Sequence, residues 1–259
     1  MGERHIILSE RLQMLERMVT PGNKTADVGC DHGFLSIYLI QEKICPHVIA
    51  MDVRKGPLSA AREHIDAKGL GAYIETRISD GLKNLKPEEA DTVICAGMGG
   101  RLMERILTES LEKAMQLREL ILQPQSEIQE FRRFLRRAGF RVDVEDMIWE
   151  DGKYYFAMRA VPEGREILLD SDFPENLSPN SRTGMADHAR LCDKFGEKLL
   201  AKKHPLLGQY LRQQEKVMTQ LVEKLSGRST ERAKIRLEEV QQELGDIRLA
   251  LTLYLGISN

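Results

Sequence analysis

Four aspartates in the first third of the chain follow short apolar runs: Asp27 in Thr25-Ala26-Asp27-Val28, Asp31 in Gly29-Cys30-Asp31-His32-Gly33, Asp52 in Ala50-Met51-Asp52-Val53, and Asp80 in Ser79-Asp80-Gly81. Clustered carboxylates attract a cation or a hydroxyl-bearing ligand and repel a phosphate. Asp52 lies 21 residues after Asp31, about where an acidic residue accepts hydrogen bonds from both hydroxyls of a ribose. Asp80 stands where a side chain meets an adenine amino group, and Asp27 either orients the loop or faces the ammonium of an amino-acid moiety. Singly, each aspartate reads as a cap or turn residue; at three successive strand ends they read as a site. The glycine spacing Gly29-x-x-x-Gly33 is not GxGxxG, and Asp31 occupies the place of a pyrophosphate, which argues against NAD and FAD. A ligand with a positive centre, a ribose and an adenine remains, which is S-adenosylmethionine.

A second loop, Ala96-Gly97-Met98-Gly99-Gly100, follows the run Thr92-Val93-Ile94-Cys95. In amino-methyltransferases this place carries Asn or Asp, two prolines and an aromatic residue that together hold an exocyclic amine; none is here. A ring nitrogen with a free lone pair needs no such help, and adenine N1 is one, so that alignment and exclusion of water could carry the reaction. The loop also reads as a tight strand-to-helix turn.

These residues need a sheet whose carboxyl ends share one edge. From Lys24 to Arg159, β-rich runs alternate with amphipathic segments, the pattern of a parallel sheet built from βαβ units. Strands are predicted at 25–28, 47–51, 74–78, 92–95, 119–123, 141–149 and 154–161, and helices near 35–42, 55–68, 101–115 and 126–138. Glu150-Asp151-Gly152-Lys153 joins the last two strands as an antiparallel hairpin. Ahead of the first strand, Ser9 caps a helix running to about Val19 that packs over the sheet edge. Beyond Lys203, Leu207, Leu211, Gln214, Met218, Leu221 and Leu225 form one heptad seam, and Leu237, Val240, Leu244, Ile247, Leu251 and Tyr254 another; a break at 226–230 folds them into an antiparallel hairpin. The fold expected is α/β: a Rossmann-like, doubly wound, mostly parallel seven-stranded domain over residues 1–161, then a linker and an α-helical coiled-coil domain over 162–259.

Composition narrows the partners. With 38 Lys plus Arg against 40 Asp plus Glu, the 259-residue chain has a net charge of -2, and residues after 160 carry 15 of each sign. A polybasic nucleic-acid binder is excluded; a local basic patch is not. No apolar run is long enough for a membrane span and Met1–Ser9 lacks a signal peptide's apolar core, so the cytoplasm is expected, with no membrane partner. Cys30, Cys45, Cys95 and Cys192 show no CxxC pair or ligand spacing, so no metal is expected and the thiols read as reduced.

Ser9-x-Arg11-Leu12, Asp27-Val28-Gly29-Cys30-Asp31-His32-Gly33-Phe34-Leu35, Asp80-Gly81-Leu82, Ala96-Gly97-Met98-Gly99-Gly100, Leu122-Gln123-Pro124 and Glu150-Asp151-Gly152-Lys153-Tyr154-Tyr155 together resemble the bacterial tRNA (adenine(22)-N(1))-methyltransferase family, a class I methyltransferase family, over essentially the whole chain. The class I pattern acidic-x-Gly-x-Gly-x-Gly is departed from at its central glycine, which is Asp31 here. The resemblance implies methyl transfer from S-adenosylmethionine to N1 of adenine 22 in tRNA; a monomer is expected. Residues expected around the cofactor are Arg11, Asp27, Gly29, Asp31, Gly33, Asp52, Val53, Asp80, Gly81, Ala96, Gly97, Met98 and Gly99. Asp31 or His32 is expected to hold the target base, an aspartate accepting from the 6-amino group and offsetting charge as N1 takes the methyl.

For tRNA, Gln123 is a second base-contacting candidate and Tyr154 a stacking one. Arg132, Arg133, Arg136 and Arg137 share one surface of the helix after Pro124, suited to phosphates. Arg101 and Arg105 follow the Gly-rich loop, and Lys198, Lys202 and Lys203 serve the C-terminal half. Two other functions stay open on the residues alone: the same fold acting on a protein or small molecule, and a non-catalytic adaptor with a degenerate pocket.

Overall fold

The structure, a computed structural model, describes residues 5–163, 185–228 and 230–256. Contacts divide the chain between Ile167 and Leu168 into two compact units. Most of the segment read as a linker lies outside the described residues.

The first unit begins with α1 (Glu10–Glu16), capped by the Ser9 hydroxyl, which accepts from the Leu12 amide. Its last turn tightens into shorter-range bonds from Met18 to Leu15 and from Val19 to Glu16, so the regular helix stops earlier than the pattern suggested. There follow β1 (Thr25–Val28), α2 (Phe34–Gln41), β2 (Val48–Asp52), α3 (Lys55–Ala67), β3 (Ile74–Ile78), β4 (Thr92–Met98), α4 (Gly100–Glu109), α5 (Leu111–Ala114), β5 (Glu119–Pro124), α6 (Ile128–Arg137), β6 (Phe140–Glu150) and β7 (Lys153–Pro162). The seven strands lie in the order β3-β2-β1-β4-β5-β7-β6, parallel except β7, which runs antiparallel to both neighbours. Two elements differ from expectation. The helix predicted over 101–115 breaks at Ser110, whose backbone (φ −134°, ψ 32°) leaves the helical region before α5 restarts. Strand β4 runs three residues into the expected turn, because a bulge between Ala96 and Met98 lets the Gly-rich segment keep pairing with β5.

Alternation along the strands fills two cores. Val28, Val93, Leu120, Leu122 and Met158 face Met103, Ile106 and Leu107 of α4 and Phe131 and Leu135 of α6. Ala50, Ile94, Ile121 and Ala157 face Met14 and Leu15 of α1, Ile37 of α2 and Leu58, Ala61 and Ile65 of α3. Helix α1 contacts β6 and β7, the strands at one sheet edge.

The second unit holds α7 (Met185–Phe195), α8 (Glu197–Ala201), α9 (Pro205–Ser226) and α10 (Glu231–Leu255). Helices α9 and α10 form the antiparallel hairpin: Leu225 packs with Ala233 near the turn, Arg248 pairs with Glu215 midway at 3.0 Å, and Tyr254 covers Gly208 at the far end. Helices α7 and α8 had no counterpart in the sequence reading. Helix α7 is held by Arg190 and Lys194, both paired to the buried Asp246 of α10.

Candidate functional site

Strand order reverses between β1 and β4, and ligands of doubly wound sheets bind outside the carboxyl ends at such a point. A cavity of about 710 Å³ lies there. It is lined by Asp27, Gly29, Cys30, Asp31 and His32 from β1 and its loop, Asp52, Val53 and Arg54 after β2, Ser79, Asp80 and Gly81 after β3, and Ala96, Gly97 and Met98 of β4. Arg11, Leu12, Phe34, Leu35, Leu102, Arg105, Ile106 and Gln125 complete the wall. All four aspartates named by the sequence therefore meet in one space.

Their environments differ. Asp27 is buried and accepts from Ser36 Oγ at 2.7 Å. Burial outweighs that bond, and with nearby Asp52 it pushes the Asp27 carboxyl up to about 6. Asp52 is buried and accepts from the Arg54 amide at 2.7 Å. Asp80 is half-buried and already holds Lys83 Nζ at 2.6 Å and Arg105 Nη2 at 3.1 Å, which keep its carboxyl below the ordinary value. Asp31 is open to the cavity, its side chain 68% exposed. Its φ of +50° is left-handed, the conformation for which glycine is ordinarily used; aspartate is among the few side chains that tolerate it. The central glycine's backbone shape thus survives its replacement by a carboxylate.

Gly29 (φ +75°) is required by its left-handed backbone; a Cβ there would also lie 2.3 Å from Met98 Cε, the tip of a flexible side chain that would have to move. Other assignments are corrected. Gly33 and Gly99 are not among the residues lining the cavity: a Cβ on Gly33 would press on Ala61 of α3 at 3.1 Å and one on Gly99 on the hydroxyl of Ser126, in the loop after β5, at 2.9 Å. Gln123 is wholly buried behind the wall, its Oε1 accepting from Arg11 Nη1 at 3.0 Å and the Gly97 amide at 3.2 Å; it cannot reach a base. Arg132 is buried too, donating from Nε to Glu145 at 2.8 Å, and leaves the basic surface formed by Arg133, Arg136 and Arg137. Arg105 points at Asp80 and Glu109 on the cavity wall. Arg101 is 85% exposed, with Glu127 3.8 Å from its Nε. Tyr154 packs against Trp149, ring centroids 4.3 Å apart. Lys202 and Lys203 are exposed in the second unit, at the end of α8.

The sequence reading missed Arg54, Phe34 and Gln125 as wall residues. Each directly follows or adjoins a motif that was read, and adjacency to a strand end was the available clue. Among the described residues, no group of three or more His, Cys, Asp or Glu could hold a metal, and no helix is long and apolar enough to cross a membrane. All four cysteines are buried, and none is in a disulfide.

The sheet order and the carboxylate-lined cavity at its switch point define a class I methyltransferase of Rossmann-like fold. Residues 8–158 match the family described as Methyltransferase domain. The Bacillus subtilis tRNA (adenine(22)-N(1))-methyltransferase is 33% identical over 163 residues, 63% of this chain and 68% of that protein. The crystal structure of the B. subtilis M1A22 tRNA methyltransferase TrmK superposes with a TM-score of 0.78 at 26% identity, covering 95% of this chain and 99% of that one. Streptococcus pneumoniae Sp1610, solved in complex with S-adenosyl-L-methionine, gives 0.76 at 25% identity, covering 95% and 100%. The chain belongs to the tRNA (adenine(22)-N(1))-methyltransferase family.

Proposed function

We propose that this chain transfers the methyl group of S-adenosylmethionine to N1 of adenine 22 in tRNA, acting in the cytoplasm as a monomer. The observation that carries the reading is the meeting of Asp27, Asp31, Asp52 and Asp80 in one cavity beside the glycine-rich end of β4, in a chain of this family. The cofactor supplies a methyl on a cationic sulfonium: the N1 lone pair bonds to the methyl carbon as the carbon–sulfur bond breaks, and the positive charge passes to the adenine ring. No proton leaves N1, so the site needs neither a general base nor a metal to create the nucleophile. Asp52 accepts from the ribose hydroxyls, Val53 and Gly81 flank the adenine, and Asp27 faces the ammonium. Asp80 meets the adenine amino group by releasing part of its hold on Lys83 or Arg105. Ala96, Gly97 and Met98 leave room for the reacting atoms. Asp31, with His32 beside it, accepts from the 6-amino group of the target base and offsets the ring's growing charge.

Arg101, Arg133 and Arg136 meet tRNA phosphates, and residues 162–259, with Lys202 and Lys203, position the tRNA. Such contacts set register without reading sequence. Incubation with labelled cofactor and total bacterial tRNA, followed by mapping of the methylated nucleoside, tests the reading. 1-Methyladenosine at position 22 supports it; no transfer to tRNA, or transfer to another position, overturns it.

A further inference from the structure

Three aromatic rings meet at the cavity mouth. Phe34 and His64 lie 5.0 Å apart between centroids with planes 19° apart, His32 and Phe34 5.6 Å apart at 21°, and His32 and His64 5.9 Å apart at 38°. Phe34 stacks with both histidine rings, and Phe34 and His32 line the cavity. Phe34 is 41% exposed, the one exposed phenylalanine among the described residues, and the His32 side chain is half exposed. His64 reaches over from α3 and donates from Nδ1 to the His32 carbonyl at 3.0 Å, so the cluster is fixed by a hydrogen bond as well as by ring contact. Phe34, at the N-terminus of α2, belongs to neither core cluster and keeps part of its ring open to water. What it offers is a π face, and unpaired RNA bases bind such faces by stacking. Arg54, an exposed cation on the cavity wall, and the exposed Lys55 beside it at the start of α3 suit the phosphates joining consecutive nucleotides.

We infer that the His32–Phe34–His64 cluster is a stacking platform for the base next to the target adenine, a reading that rests on the RNA methylation proposed above. Asp31 immediately precedes His32, so a target base held at Asp31 places its neighbour over the rings. Binding energy from that neighbour then draws the strand into the mouth and holds the target against the cofactor.

The test uses the full chain with S-adenosylhomocysteine and a tRNA carrying 2-aminopurine at the target position, or on its 5′ or 3′ side. With the unmodified chain, fluorescence is quenched on binding when the probe occupies one flanking position. Phe34→Leu and His64→Gln abolish that quenching and weaken tRNA affinity about tenfold, whereas Phe34→Tyr retains both. His64→Gln keeps a donor for the His32 carbonyl while removing the ring, and thermal melts followed by circular dichroism certify that each variant folds. Equal quenching and tRNA affinity in the unmodified chain, Phe34→Leu and His64→Gln overturn the platform. So does ring-dependent quenching with the probe only at the target. Failure of the unmodified chain to methylate tRNA overturns the underlying RNA reading instead.

Discussion

Arg132 Nε donates to the Glu145 carboxylate at 2.8 Å, and both side chains are buried between α6 and β6. Removing one partner leaves the other charge in a low-dielectric site, a loss of about 3–5 kcal/mol. Arg132→Ala is therefore expected to lower the melting temperature sharply. Arg136→Ala, on the exposed side of α6, should do the reverse: stability barely moves, tRNA affinity falls, and the slope of log Kd against log salt drops by about one. Thermal melts paired with tRNA binding at two salt concentrations separate the roles. An Arg132→Ala protein as stable as the parent would refute the structural assignment.

Asp27 gives a pH dependence with a definite sign. Its folded carboxyl titrates at about 6, above the ordinary 3.8, because burial disfavours the anion. The folded state thus binds the proton more tightly than the unfolded chain. The associated stability is fully present below pH 4 and is lost as pH rises through 6, by up to about 3 kcal/mol. Asp27→Asn should flatten this component, seen as a smaller stability difference from the parent at pH 4.5 than at pH 7 in urea titrations. Cofactor affinity should run the other way, tightening as pH rises through 6, since a cationic ligand prefers the ionised carboxylate.

Gly29→Ala should act through two separable effects. The new methyl would stand 2.3 Å from Met98 Cε at a residue with φ +75°. Met98 can swing its terminal methyl away, but the left-handed backbone still costs a non-glycine residue about 1–2 kcal/mol. Gly29→Ala is expected to weaken S-adenosylmethionine binding at least tenfold by calorimetry, and adding Met98→Ala should restore only part of it. Complete restoration by the second change would show that backbone conformation is irrelevant at Gly29.

The contrast between Asp52 and Arg132 shows what was legible in the sequence. Strand ends carry their meaning in one dimension: the apolar run ending at Asp52 places that carboxylate on the sheet's carboxyl edge whatever else the chain does, and the cavity contains it. Arg132 follows the apolar Phe131, and at about 100° per residue it flanks the buried stripe of α6. Whether it faces solvent depends on β6, where Glu145 waits 13 residues later. Gln123 was misread for the same reason, because the identity of its partners, Arg11 and Gly97, is set by tertiary packing. The ring cluster was invisible because His64 joins it from α3, 32 residues after His32 in sequence. Helices α7 and α8 were missed because they lack a heptad seam: α7 leans on the buried Asp246 of α10, and α8, five residues long, buries only Leu199 and Leu200.

Gln123 then becomes a positioning residue with its own test. Its Oε1 ties the Arg11 guanidinium to the Gly97 amide, while Nε2 is buried with no hydrogen-bond partner among the described residues. Arg11 is further held by the Tyr155 ring, 5.7 Å from its guanidinium carbon, and by the Glu150 carboxylate, which accepts from its backbone amide. The buried amide thus fixes an arginine of the cavity wall relative to the bulge of β4. Gln123→Leu removes the shared acceptor and leaves the part-buried Arg11 and Gly97 donors without it, a loss of about 1 kcal/mol. Gln123→Glu keeps an oxygen at the same reach and replaces the unpartnered Nε2 with a second acceptor facing a cation. If Gln123 works by placing Arg11, Gln123→Leu should lower kcat and raise the cofactor KM together, and Gln123→Glu should recover most of both. A residue that merely fills the core would give the opposite ranking, with leucine tolerated and the buried glutamate destabilising, and melting curves with steady-state kinetics on the two variants distinguish these outcomes.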